Sequence, residues 1–218
     1  MKEDDIRQIV GILRKKIVNW KPPVTTLLAE KSKDPFKVLI SCILSTRTQD
    51  TTTVQASMRL FEIADTPEKM LELKEQRLKE IIYPVGFYRT KAKNILSTCK
   101  MLIEEWKSCV PDEIDDLLKL PGVGRKTANL VVTKGYGKLG ICVDTHVHRI
   151  CNRFGYVNTK NPQATEFALR AKLPEEYWIE FNDLLVRLGQ IICHPISPKC
   201  TECLVFGFCD RVGVKKSR

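Results

Sequence analysis

Apolar positions along this chain recur at helical spacing. Over residues 5–18, Ile6, Ile9, Val10, Leu13 and Ile17 share one face, which predicts an amphipathic helix at the start. Lys21-Pro22-Pro23 should break it, and a short helix is expected over residues 24–30. Asp34-Pro35 then supplies a capping carboxylate followed by proline at a first helical position. The run from Phe36 to Leu44 is apolar nearly all round, as a helix at the centre of a domain would be. It gives way to a polar stretch, Ser45 to Thr53.

Further helices are expected at about 53–63, 67–73 and 75–82. Tyr83 to Lys91 has the character of a turn with exposed aromatics and cations, leading into a long helix that ends at Trp106. Two short helices follow. One carries Ile114, Leu117, Leu118 and Leu120 with Asp112 as its cap; the other runs from Arg125 through Ala128, Leu130, Val131 and Val132. The last helices are expected from Asp144 to Phe154, at 162–172 and at 175–192. No segment alternates as a strand does, so the fold class is all-α.

The two short helices are joined by Leu120-Pro121-Gly122-Val123-Gly124-Arg125-Lys126, a helix–hairpin–helix. Glycine permits positive φ and lets another backbone come close. The turn aims the amides of the second helix outward, where Arg125, Lys126 and Thr127 add charge and a hydroxyl. Such a hairpin grips a nucleic-acid phosphate without reading its base. The alternative is an ordinary αα-corner with glycine as a helix stop.

A formal charge of +10 and a pI near 9.2 favour a polyanionic partner, most simply DNA or RNA. No apolar run approaches the ~20 residues of a membrane span. Met1-Lys2-Glu3-Asp4-Asp5 is unlike a signal peptide, so an intracellular protein is expected. Of the 9 cysteines, Cys42, Cys99, Cys109, Cys142 and Cys151 sit among apolar neighbours and are expected in the core. The other four, Cys193, Cys200, Cys203 and Cys209, crowd the C-terminal segment as C-x6-C-x2-C-x5-C. Four thiolates at this spacing suit a [4Fe–4S] cluster or a tetrahedral Zn²⁺, and the single C-x2-C pair leans toward iron–sulfur.

Three features then coincide: the hairpin Leu120 to Ala128, the Val143-Asp144-Thr145-His146-Val147 segment, and the cysteine tail. In order and spacing they closely resemble the endonuclease III family of DNA base-excision glycosylases. The resemblance covers nearly the whole chain and implies a [4Fe–4S] cluster on the four cysteines. It implies two helical domains: a barrel with the hairpin at residues 28–138, and a cluster domain from residues 1–27 and 139–218, with a DNA-binding cleft between them. The implied partner is double-stranded DNA carrying a damaged base or abasic site, bound by a monomer. A chain with no extra terminal extensions is expected to be prokaryotic, in the cytoplasm or nucleoid.

By the same resemblance Lys126 is the nucleophile of a bifunctional glycosylase and AP lyase, and Asp144 the catalytic carboxylate. Physical chemistry suits both. An ammonium at a helix N-terminus beside Arg125 should lose its proton more readily, giving an amine that attacks C1′ and forms a Schiff base. A carboxylate can stabilise the oxocarbenium character of a breaking N-glycosidic bond or help deprotonate the lysine. Asp144 could equally be the cap of the helix it precedes, and His146 and His148 are expected at the surface.

The target base must leave the stack first, and two turns could fill its place. Arg47 stands where the bacterial archetype carries a Gln inserted into the duplex, with Gln49 close by; Phe87 falls where the family has an apolar wedge. Gly122, Gly124, Arg125, Thr127 and Lys91, with Arg89, are the expected phosphate contacts. Oxidised or ring-saturated pyrimidines such as thymine glycol are the expected lesions. The alternatives are a monofunctional or differently specific glycosylase (mismatch, oxidised purine or 5-methylcytosine) and a non-enzymatic helix–hairpin–helix DNA-binding protein.

Overall fold

The computed structural model describes residues 4–17, 19–20, 22 and 34–218. The helix expected over residues 24–30, and most of the Lys21-Pro22-Pro23 break, lie outside them. Chain contacts define two units, one of Met1–Pro23 with Ile141–Arg218 and the other Val24–Gly140. Among the described residues both are built from helices, with no strand.

The first unit begins with α1 (Asp5–Lys16), whose Ile6, Ile9, Val10 and Leu13 are buried as their spacing predicts. It packs on α11 (Trp178–Ile191) and the turn ahead of it: Arg7 pairs with Glu176 of that turn at 2.7 Å, and Arg14 Nε donates to Glu180 of the helix at 2.9 Å. Both pairs are exposed and count for little beside the apolar face. Between them in sequence lie α9 (Thr145–Phe154) and α10 (Pro162–Lys172). Their buried faces and Phe181, Leu185 and Leu188 of α11 complete one core. At these lengths each fully buried Leu, Ile or Phe contributes about 1.5–3 kcal/mol.

The second unit is organised around α2 (Pro35–Ser45). Asp34 caps it, its Oδ1 accepting from Phe36 N at 2.9 Å, with Pro35 at the first position. Phe36, Val38, Leu39, Ile40, Cys42, Ile43 and Leu44 are all buried, as an all-round apolar helix requires. Around it stand α3 (Asp50–Ile63), α4 (Pro67–Glu72), α5 (Glu75–Ile82), α6 (Tyr88–Trp106), α7 (Ile114–Leu117) and α8 (Arg125–Leu130). The start of α3 lies three residues ahead of its expected position. Gln49 C=O accepts both the Thr53 amide (3.0 Å) and hydroxyl (3.1 Å), which carries the helix through three weakly helix-forming threonines.

Asp112 does not cap α7: Glu113 holds that position, and Asp112 instead pairs with Lys138 Nζ at 2.8 Å. Cys109 is exposed, whereas Cys42, Cys99, Cys142 and Cys151 are buried. It follows the end of α6, where Lys107 and Ser108 take positive φ and turn the chain outward. Beyond α8 the helix widens into a π-turn, Val131–Gly135. Thr133 Oγ1 donates to Asn129 C=O at 2.7 Å there, and a Cβ on Gly135 would lie 3.2 Å from Pro35 Cα.

Candidate functional site

The hairpin's turn is held from beneath by α6. Thr98 Oγ1 donates to Pro121 C=O at 3.0 Å, and Val123 N–H closes the turn on Leu120 C=O at 3.1 Å. Gly122 has φ +80°, and a Cβ there would sit 2.6 Å from Asn94 Nδ2. The positive φ favours glycine outright, and any Cβ would also push the Asn94 side chain aside. Gly124 differs. Its φ is −106°, open to any residue, and nothing lies within 4 Å of an added Cβ. Its bareness is therefore not a requirement of the turn; it leaves backbone open to an incoming group.

Ala128 N–H makes the first bond of α8, to Gly124 C=O at 2.9 Å, so the amides ahead of it point out along the axis. Lys126 is exposed on this first turn and Arg125 half-buried, while Thr127, expected at the surface, is buried. Behind Lys126 lies Cys42 of α2, whose thiol burial pushes up to about 12 although the Lys126 charge acts the other way.

Asp144 is the cap of α9. Its Oδ1 accepts from His146 N at 2.8 Å and Val147 N at 2.9 Å, and the residue is partly exposed. Both cap bonds fall on one oxygen, so the carboxylate's other oxygen is not drawn into the helix. The histidines are more deeply engaged than surface residues. His148 Nδ1 lies 2.7 Å from Thr165 Oγ1, and burial lowers its pKa; His146 Nδ1 lies 3.1 Å from Arg149 Nη2.

The two expected insertion turns meet in the second unit. Arg47, following α2, and Phe87, preceding α6, both take positive φ, at 51° and 57°. The Arg47 guanidinium lies over the Phe87 ring, 5.5 Å from its centroid. Phe87 is 62% exposed, so core packing does not account for it. Gln49 is exposed too, but its backbone is committed to capping α3. Arg47, Phe87, Thr90, Asn94 and Gly122 line one open pocket, which brings the turns and the hairpin glycine to a common surface. Arg89 is exposed and stacks over Tyr88 at 4.7 Å.

Lys91 lies against the same pocket but is itself almost wholly covered. It is only 6% exposed, and its Nζ donates to Leu44 C=O at 2.8 Å, Thr46 C=O at 2.5 Å and Thr48 Oγ1 at 3.0 Å. All three N–H bonds are spent inside the unit, which corrects its expected phosphate contact. Burial lowers its pKa to about 8, and three oxygen acceptors favour the charged form in opposition.

In the first unit, Cys193, Cys200, Cys203 and Cys209 line a single small pocket, about 20 Å³ in volume and partly open to solvent, with Leu188, Ile192 and Phe206 on its apolar walls. Arg153 grips the loop: Nη1 donates to Cys193 Sγ (3.2 Å) and His194 C=O (2.7 Å), and Nη2 to Pro195 C=O (2.7 Å). Arg149 Nη2 adds a bond to Cys193 C=O at 2.8 Å. Burial raises the Cys209 thiol to about 11. Among the described residues, no three His, Cys, Asp or Glu side chains converge as they would on one metal ion. The gripping arginines were not foreseen; Arg149 and Arg153, four apart on α9, carried no signal beyond that spacing.

Residues 40–175 match the model of the HhH-GPD superfamily base excision DNA repair protein. The chain is 47% identical over 180 residues to endonuclease III of Thermotoga maritima, covering 83% of this chain and 84% of that one. Its fold is similar to that of an endonuclease III in a non-covalent DNA complex, with TM-score 0.86 and 32% identity over 97% of this chain and 96% of that one. It is similar also to an endonuclease III trapped as a covalent intermediate with DNA and an estranged adenine, with TM-score 0.85 and 31% identity over 97% of both chains. No described helix is long and apolar enough to cross a membrane.

Proposed function

The chain belongs to the HhH-GPD superfamily of base excision DNA repair proteins and, within it, to the endonuclease III family, and from that membership we propose how its own residues carry out the reaction. It is a bifunctional DNA glycosylase and AP lyase of base excision repair. One observation supports this beyond the rest: Lys126 is an exposed amine on the first turn of the hairpin's second helix, in a chain similar along its length to an enzyme trapped covalently on DNA.

Lys126 is the nucleophile. Its neutral amine attacks C1′ of the damaged nucleoside, the N-glycosidic bond breaks, and the base leaves with that electron pair and takes up a proton. The ring-opened sugar is held as a Schiff base on Nζ. Loss of a C2′ proton then expels the 3′ phosphate by β-elimination, and water releases the sugar from the lysine. Asp144 serves both as helix cap and as the carboxylate that stabilises positive charge developing on the sugar. The oxygen outside the cap is the one suited to that work.

The Val24–Gly140 unit carries the hairpin, whose Gly122–Thr127 segment receives a backbone phosphate. Gly124 admits it without obstruction, and Arg125 supplies charge. Arg47 and Phe87 enter the duplex where the target base leaves; their mutual stacking and exposure favour Arg47 over Gln49 as the residue that fills the gap. Oxidised and ring-saturated pyrimidines, such as thymine glycol, are the lesions removed.

The other unit carries the cysteine loop. Four sulfurs on one apolar-walled pocket, with a cationic donor on one of them, fit a [4Fe–4S] cluster held by Cys193, Cys200, Cys203 and Cys209. When bound, the cluster cross-links residues 193–209 into a fixed loop.

Borohydride trapping tests the reaction. With a duplex carrying one thymine glycol or one abasic site, the wild type should yield a covalent protein–DNA adduct that Lys126→Gln does not. Base release with no adduct would mean a monofunctional glycosylase, and neither product would remove the enzyme assignment.

A further inference from the structure

The buried ammonium of Lys91 sits between the two turns that present Arg47 and Phe87, and no catalytic step uses it. Its acceptors all lie in residues 44–48, whereas its own backbone lies in the first turn of α6, four residues after Phe87. Leu44 and Thr46 present carbonyls from the end of α2, where the helix leaves such groups without intrahelical partners. A single lysine satisfies both and adds Thr48 Oγ1. The second turn reaches back: Gly86 N–H donates to the same Thr48 Oγ1 at 3.1 Å. Gly86 packs so closely that a Cβ there would run into the Arg47 carbonyl oxygen.

We propose that Lys91 is a positioning residue that fastens the 45–48 turn to the 83–87 turn, so that Arg47 and Phe87 enter DNA as one preset element. Left-handed backbone at both residues costs energy and persists only where surroundings enforce it. The Lys91–Thr48–Gly86 bonds are that enforcement. Without them each turn relaxes alone, and ordering both again is charged against base extrusion.

This rests on the reading that Arg47 and Phe87 fill the gap left by the flipped base, and the test separates the two. Single-turnover excision of thymine glycol is measured in two duplexes, one with the lesion paired with adenine, the other with it facing a tetrahydrofuran gap that has no base to unpair. Lys91→Met should lose on the order of tenfold or more on the paired duplex and less than about threefold on the gapped one. Thr48→Val should shift the same ratio by a smaller factor, and the double variant should be no worse than Lys91→Met. Lys91→Arg, which keeps charge and donors, should recover part of the loss. Equal losses on both duplexes, or none on the paired one, would overturn the proposal. If Lys91→Met does not fold, as its melting curve would show, the ratio for Thr48→Val decides alone. Insensitivity of Arg47→Ala and Phe87→Ala on the paired duplex would instead sink the insertion reading.

Discussion

The guanidinium of Arg47 rests over the ring of Phe87, 5.5 Å from its centroid, with both residues in left-handed backbone conformation. A planar cation held over an exposed aromatic ring is a paired element of about the size needed to occupy a vacated base position.

That arrangement sets a preference for the base left behind. Arginine only donates hydrogen bonds, and guanine offers acceptors at O6 and N7 where adenine presents an amine at the equivalent O6 place. A lesion facing guanine should be excised faster than the same lesion facing adenine, by about tenfold, the value of one good contact. Arg47→Gln, which both donates and accepts, should level or reverse the ratio. Excision of one oxidised pyrimidine opposite each base measures it; a ratio unchanged in Arg47→Gln would show that Arg47 does not read the orphan base.

Asp144 has two roles that substitution can separate. Asparagine keeps an oxygen for the His146 and Val147 amides but loses the charge. Asp144→Asn should melt within a few degrees of the wild type, yet lose roughly 100-fold or more in excision. Asp144→Ala should lose that activity and also about 1 kcal/mol of stability with the cap. Full activity in Asp144→Asn would leave the residue as a cap alone.

The hairpin glycines should also part company. Gly122→Ala forces a Cβ into Asn94 at φ +80°, so a loss of about 1–3 kcal/mol in unfolding free energy is expected. Gly124→Ala meets nothing and needs no unusual φ, so stability should change by less than about 1 kcal/mol. Affinity for an abasic-analogue duplex should nevertheless fall several-fold, because the methyl stands where phosphate approaches. Unchanged affinity in Gly124→Ala would place the phosphate elsewhere.

Much of this was legible because it depends on local pattern. An all-round apolar run between Phe36 and Leu44 had to be buried, Asp34-Pro35 had to start it, and Pro-Gly-Val-Gly between two helical runs had to turn. What could not be read depends on distant partners. Lys91 looks like any surface cation in sequence; its burial is decided by carbonyls that end α2, more than forty residues earlier. Asp112 looked like a cap because nothing local announced Lys138. Cys109 looked like core because its neighbours are apolar, whereas positive φ at Lys107 and Ser108 turns it out. The π-turn after α8 arises where Gly135 lets Pro35 approach, which helical periodicity cannot convey.

Lys91 also makes stability depend on pH with a definite sign. Burial lowers its folded pKa to about 8 from an ordinary 10.5. Between those values the folded chain holds fewer protons at this site than the unfolded chain, so the unfolding free energy rises with pH. Below about 8 the penalty of burying the charge is present in full; above 10.5 it has been relieved. The difference in urea midpoint between wild type and Lys91→Met should therefore move in favour of the wild type from pH 8 to 10.5, common contributions from other lysines cancelling. A neutral amine has only two N–H donors for three acceptors, so the preference for gapped over paired duplex should grow over the same window. A flat difference in midpoint would mean that the oxygens of Leu44, Thr46 and Thr48 hold the ammonium charged throughout, and that desolvation is the weaker effect.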